Sequence, residues 1–136
     1  MASAETTGKL PLVSVILSFR NEEEVIPELI ARLTQVFARL PVDHELVFVN
    51  DASTDRSLEI LTAKAKANPR IKIINMSRRF GVAECILAGM KYSSGGTVVT
   101  MDADLQDPPE VIGDIVEKWR RGGDEEYNVG KERAGE

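Results

Sequence analysis

The stretch Val98–Ile112, VVTMDADLQDPPEVI, starts with β-branched residues, passes through a crowd of acids and a proline pair, and ends in apolar residues. Its beginning reads as a buried strand. Its end reads as a helix start: Asp107 as N-cap, Pro108 and Pro109 in the first turn, where a missing N–H costs nothing, and Glu110 at the reciprocal capping position. Capping has no use for Asp102 and Asp104. Like charges so close together repel unless a cation or water lies between them. In extended chain, residues i and i+2 face the same side, so Asp102, Asp104 and Gln106 can present three oxygens together. Their Cα atoms are then roughly 6 to 7 Å apart, so direct ligation by all three needs side-chain convergence or a turn after Asp102. Hard oxygen ligands of this kind suit Mg²⁺ or Mn²⁺, which keep water and substrate phosphates as their remaining ligands.

Outward from this stretch the chain alternates. Leu12–Leu17, Glu45–Asn50, Ile71–Asn75 and Thr97–Met101 are short β-branched runs, read as strands of a mainly buried parallel sheet. Between them, Val25, Ile26, Leu29, Ile30, Leu33, Val36, Phe37 and Leu40 repeat at helical spacing, as do Val111, Ile112, Ile115, Val116 and Trp119. Leu58, Leu61 and Ala65 form a shorter stripe, AECILAGM an apolar helix, and a last strand is expected near EEYNVG. This order predicts an α/β fold with a doubly wound, mainly parallel sheet, the Rossmann-like arrangement that binds ligands beyond the carboxyl ends of its strands. Four segments fall there: SFRNEE, NDASTD, SRRFG and DADLQD.

Each of these segments has a structural and a chemical reading. In NEEE, Asn21 and Glu24 are expected to form a capping box, leaving Glu22 for a ligand. In NDASTDRS, Ser53 or Thr54 is the expected N-cap and Asp55 lies in the first turn. Asp51 is needed for neither task, and its carboxylate can accept from a base N–H or stabilise a turn. In SRRFG, Gly81 marks a turn or close backbone approach, and Arg78 and Arg79 are the only adjacent basic pair on the presumed ligand side.

Composition narrows the function. The 136 residues suffice for one domain; 43% are apolar and 29% charged, the balance of a globular protein. A net charge of -5 argues against a nucleic-acid partner, which needs a basic footprint. The single cysteine, Cys85, excludes an internal disulfide, and its apolar neighbours predict a buried, inert thiol; a reducing cytoplasmic setting is expected. No apolar run reaches the roughly 18 residues of a membrane span. Residues 1–10 read as a flexible tail before a domain over 11–136 that looks cut at its C-terminal end.

Together, SVILSFRNEEEVI, VFVNDASTDRS, SRRFGVAECILAGM and VVTMDADLQDPPEVI resemble successive motifs of family 2 glycosyltransferases with the GT-A fold. The likeness is greatest to the branch of dolichol-phosphate mannose synthases and polyprenyl-phosphate glycosyltransferases, and runs from about Val13 to Trp119. It implies a nucleotide-diphospho-sugar donor, UDP- or GDP-linked. Glu22 and Asp51 would lie near ribose and base, Arg78 and Gly81 would line the nucleotide pocket, and Asp102, Asp104 and Gln106 would surround a Mg²⁺ or Mn²⁺ ion and the diphosphate. It also implies inverting transfer to an acceptor such as a polyprenyl phosphate. The sequence departs from the family at Ser18 and Arg20, where Pro and an aromatic are common, and at Arg79, in place of a common Asn. The basic residue expected after the last strand falls on Lys131 or Arg133.

Relatives continue well past this length. The resemblance therefore implies a donor-binding half, with the catalytic residue and any membrane-anchoring part expected beyond residue 136, the whole working at the cytoplasmic face of a membrane. Three other readings stand beside it. A nucleotidyltransferase also sets acids after a strand but normally carries a glycine- and basic-rich phosphate loop. A phosphoacceptor signalling domain would use Asp51 yet leave Asp102 and Asp104 without a role. A non-catalytic nucleotide-binding or interaction module would need neither.

Overall fold

The computed structural model describes residues 10–121 and 127–128. Its elements follow the expected alternation: β1 (Leu12–Phe19), α1 (Ile26–Ala38), β2 (Asp43–Asn50), α2 (Ser57–Ala67), β3 (Ile71–Asn75), α3 (Val82–Tyr92), β4 (Thr97–Asp102), α4 (Val111–Arg120) and β5 (Tyr127–Asn128). The sheet order is β3-β2-β1-β4-β5, with every neighbour pair parallel. The winding direction reverses between β1 and β4, where Ser18 stands opposite Asp102. In sheets of this kind that reversal opens a crevice beyond the strand ends.

Strand pleating sorts side chains to two cores. Val13, Val15, Leu17 and Phe19 of β1, with Leu46 and Phe48 of β2 and Val99 and Met101 of β4, pack under α1, α2 and α4. The alternate residues Ile16, Val47 and Val49 meet Cys85 of α3 on the other face. There the helix comes very close to the sheet: a Cβ on Gly89 would lie 2.5 Å from Ile16 Cγ2, so only glycine fits. β1 is buried on both faces along nearly its whole length, which is why it reads as an unbroken apolar run.

The amino ends of the strands are tied by a buried polar cluster. Glu45, 7% exposed, accepts from Ser14 Oγ at 2.6 Å and Ser94 N–H at 2.6 Å, and pairs with Lys72 Nζ at 2.8 Å. Ser14 Oγ in turn accepts from Gly95 N–H at 2.8 Å. Burial alone would raise the Glu45 carboxyl; these bonds outweigh it and hold the group below its usual range.

The carboxyl-end loops depart from the local capping expected of them. α1 begins at Ile26 with Pro27 in its first turn and no side-chain cap, so Asn21 and Glu24 form no capping box. Asn21 Oδ1 instead accepts from Thr54 N–H at 2.7 Å and Asp55 N–H at 3.1 Å in the next loop. Ser53 Oγ accepts from Asn21 N–H at 3.0 Å, and Ser57 Oγ accepts from Glu22 N–H at 2.8 Å. Neither Ser53 nor Thr54 caps α2; Asp55 Oδ1 accepts from Ser57 N–H at 2.9 Å. α4 begins at Val111, after a turn over Pro108–Val111, and Glu110 pairs with Arg32 of α1 at 2.6 Å rather than reaching back toward Asp107.

Each of the four loops holds one residue in the left-handed region: Asn21 (φ 58), Ala52 (φ 59), Gly81 (φ 99) and Leu105 (φ 61). For Ala and Leu this conformation costs about 1 to 2 kcal/mol and persists only where surrounding contacts impose it.

Candidate donor-binding site

The four loops enclose a cleft of about 270 Å³ lined by Ser18, Arg20, Glu22, Asp51, Arg79, Gly81, Asp102 and Asp104, with Phe19, Val82 and Ala103. Its position follows from the pleat. Ile16, Val49 and Val98 face α3, so two-residue steps carry Ser18 and Arg20, Asp51, and Asp102 and Asp104 to that same side past the strand ends.

The cleft brings Glu22, Asp51, Gly81, Asp102 and Asp104 together from four separate loops. Asp102 has its pKa raised by burial and by the charges of Asp104 and Asp107. Glu22 is raised by burial and by Asp104, Asp55 and Asp102. Among the described residues no cation is a cause of either shift, so burial and like charge both work against ionisation here.

Asp51 is different. Its Oδ1 accepts from Phe80 N–H at 2.7 Å and its Oδ2 from Gly81 N–H at 3.0 Å. Burial would raise this carboxyl, but the two N–H bonds, the Cys85 thiol and the Arg79 charge hold it below the usual range. The carboxylate thus pins the β3–α3 loop, and its accepting capacity is not fully used by these three donors. Cys85 is buried as expected, its thiol pushed up to about 11 by burial and by Asp51, which keeps it inert.

Two expected residues are not brought in. Arg78 does not line the cleft; its guanidinium lies 4.2 Å from the Phe80 ring centroid, and Arg79 faces the cleft instead. The loop turns through Gly81 and is held by Asp51, so the direction of each arginine is set by contacts that strand alternation does not describe. Gln106 also stays outside. Left-handed Leu105 breaks the extended alternation after Asp104, Gln106 is exposed, and its backbone N–H donates to Asp104 Oδ1 at 3.0 Å. Ser18, Arg20 and Arg79 all line the cleft. Lys131 and Arg133 lie outside the described residues.

Among the described residues no three His, Cys, Asp or Glu side chains converge into a closed metal-holding group. Asp102 and Asp104 line one cleft with Glu22, whose pKa their charges raise, and offer that cleft hard oxygens. That donor set fits a Mg²⁺ or Mn²⁺ ion which takes its remaining ligands from water and phosphate.

Residues 14–128 match the profile of Glycosyl transferase family 2, and the chain belongs to that family. It is 47% identical over 123 residues to the uncharacterized glycosyltransferase YkcC of Bacillus subtilis (strain 168), covering 90% of this chain and 38% of the relative. It is 37% identical over 112 residues to the bactoprenol glucosyl transferase of Shigella phage SfV, covering 82% of this chain and 36% of that protein. Among solved structures, the mannosyltransferase PcManGT from Pyrobaculum calidifontis, in complex with GDP-Man and Mn²⁺, superposes with a TM-score of 0.66. It is 25% identical, over 83% of this chain and 33% of that one. The fold is thus that of GT-A glycosyltransferases, and the chain spans well under half the length of these relatives. Among the described residues no helix is long and apolar enough to cross a membrane.

Proposed function

We propose that this chain is the donor-binding part of a glycosyltransferase that takes its sugar from a nucleoside diphosphate and gives it to a polyprenyl phosphate. The observation that carries the reading is the grouping of Glu22, Asp102 and Asp104 in the cleft at the β1/β4 reversal, where burial and neighbouring acids raise the pKa values of Glu22 and Asp102. Such a site is completed by a divalent ion and a diphosphate. PcManGT, solved with GDP-Man and Mn²⁺, has the same fold, and a relative acts as a bactoprenol glucosyl transferase.

In this reading Asp102 and Asp104 hold the ion. When bound, it offsets the charge that develops on the departing nucleoside diphosphate. Asp51 uses its remaining lone pairs toward the base, and Glu22 faces the ribose. Gly81, with nothing within 4 Å of its Cβ position, leaves room for the nucleotide beside the backbone. A lipid acceptor places the whole protein at the cytoplasmic face of a membrane, where nucleotide sugars are available. Catalysis would then draw on the part of the relatives that this chain does not span.

Thermal stability and calorimetry with UDP, GDP, UDP-glucose and GDP-mannose, with and without Mn²⁺, test the reading. One nucleotide series should raise the melting temperature, and the ion should strengthen it. No response to any of the four, with or without the ion, rejects it.

A further inference from the structure

Arg20 stands out among the charged groups of the cleft. It follows β1 directly. Phe19 pairs with Asn50 on one side and Ser18 with Asp102 on the other, so Arg20 comes level with Asp51 and Asp104 and sits between them. Its side chain lines the cleft and is half-buried. Yet among the described residues it makes no ion pair, and its Nε is buried with no hydrogen-bond partner. A buried guanidinium N–H left without an acceptor is costly, and native proteins rarely keep one unless something absent supplies the acceptor.

The surrounding charges narrow what that acceptor is. Arg79 already has Asp51 as its charge partner. Among the described residues the charges that shift Asp102 and Glu22 are other carboxylates, and no ion pair joins Arg20 to Asp104 or to any other acid. Arg20 is therefore an unassigned cation at the centre of the cleft, with a planar fork that matches phosphate oxygens. A neutral carbonyl would satisfy the hydrogen bond alone; a diphosphate satisfies both the bond and the charge.

We propose that Arg20 donates to the diphosphate of the bound nucleotide and so sets much of this chain's affinity for its donor, a role that rests on the donor-binding reading above. The cleft then grips the diphosphate from two directions, through the Asp102–Asp104 side and through a guanidinium from β1.

The test uses the 136-residue chain with UDP, UMP and uridine, and GDP, GMP and guanosine, at fixed Mn²⁺, by calorimetry, with displacement for the weak ligands. For the base that the wild type prefers, Arg20→Gln should weaken the diphosphate at least tenfold and leave the nucleoside within twofold. Arg20→Lys should recover only part of the loss, because an ammonium keeps the charge without the fork. The ligand-free melting temperature of Arg20→Gln should equal or exceed that of the wild type, since a buried orphan donor is removed. Unchanged diphosphate affinity in Arg20→Gln, equal loss for nucleoside and diphosphate, or a ligand-free melting temperature lowered in both variants overturns the assignment. A wild type that binds none of the six ligands instead overturns the donor reading, and Arg20's role with it.

Discussion

Two acidic centres sit at opposite ends of the same sheet, and their chemistry is opposite. At the amino ends, Glu45 is buried and fully met by Ser14, Lys72 and Ser94, and its pKa is lowered. At the carboxyl ends, Asp102 and Glu22 face other carboxylates and their pKa values are raised. A protein that needed acids only for stability would have built two centres of the first kind. The contrast separates an acid met by donors and a cation within the chain from acids raised by other carboxylates, the pattern expected of a binding site.

The largest test of this contrast is Glu45→Ala, which leaves the Ser14 hydroxyl and the Ser94 N–H without their acceptor and takes from the Lys72 ammonium its charge partner, though not its bonds to Tyr92 O and Ser94 Oγ. It should cost about 3 kcal/mol in urea unfolding and leave nucleotide affinity unchanged. Asp104→Asn should do the reverse, weakening ion-dependent nucleotide binding at least tenfold while unfolding stability stays within about 0.5 kcal/mol. If both variants lose stability alike, the two centres do not differ in the way described.

Acid should probe the amino end separately. His44 stacks on Phe37 at 4.3 Å between centroids, and burial, with Arg70 nearby, lowers its pKa from 6.5 to about 4. The unfolded chain therefore takes up a proton at a pH where the folded chain does not. Stability from neutral His44 is complete above pH 6.5 and is lost as pH falls toward 4, by roughly 3 kcal/mol. Denaturation of wild type and His44→Phe across that window should show a slope in the first that is flattened in the second. The smallest effect is expected from Ser14→Ala, about 1 kcal/mol, because Glu45 keeps Lys72 and Ser94. A loss as large as that of Glu45→Ala would make the hydroxyl, not the carboxylate, the centre of the cluster.

The strands and helices were legible because burial on one or both faces imposes a period that local composition records. β1 and α1 are the clearest cases. The position of Asp102 and Asp104 was legible for the same reason, since the strand that carries them ends where the apolar run ends. The loops were not. Asn21 has the sequence of a local cap, yet its partners are Thr54 and Asp55, more than thirty residues on, and nothing in NEEE announces them. Arg78 and Arg79 are equivalent as letters; the Asp51 bonds to Phe80 and Gly81 decide which one faces the cleft. Gln106 was misplaced because alternation was extended through Leu105, where φ is 61. Arg20 carried one signal, a basic residue where the resemblance leads one to expect an aromatic, but its missing acceptor shows only in three dimensions.

One left-handed residue in each loop has an evolutionary consequence. Asn21, Ala52 and Leu105 set the course of their loops without lining the cleft, while their neighbours Arg20, Glu22, Asp51 and Asp104 supply its charge. Outside the β3–α3 loop, where Asp51 and Gly81 do both, loop shape and cleft charge are thus written at different positions. A descendant can exchange one donor for another by single replacements at the lining residues while the loops keep their paths.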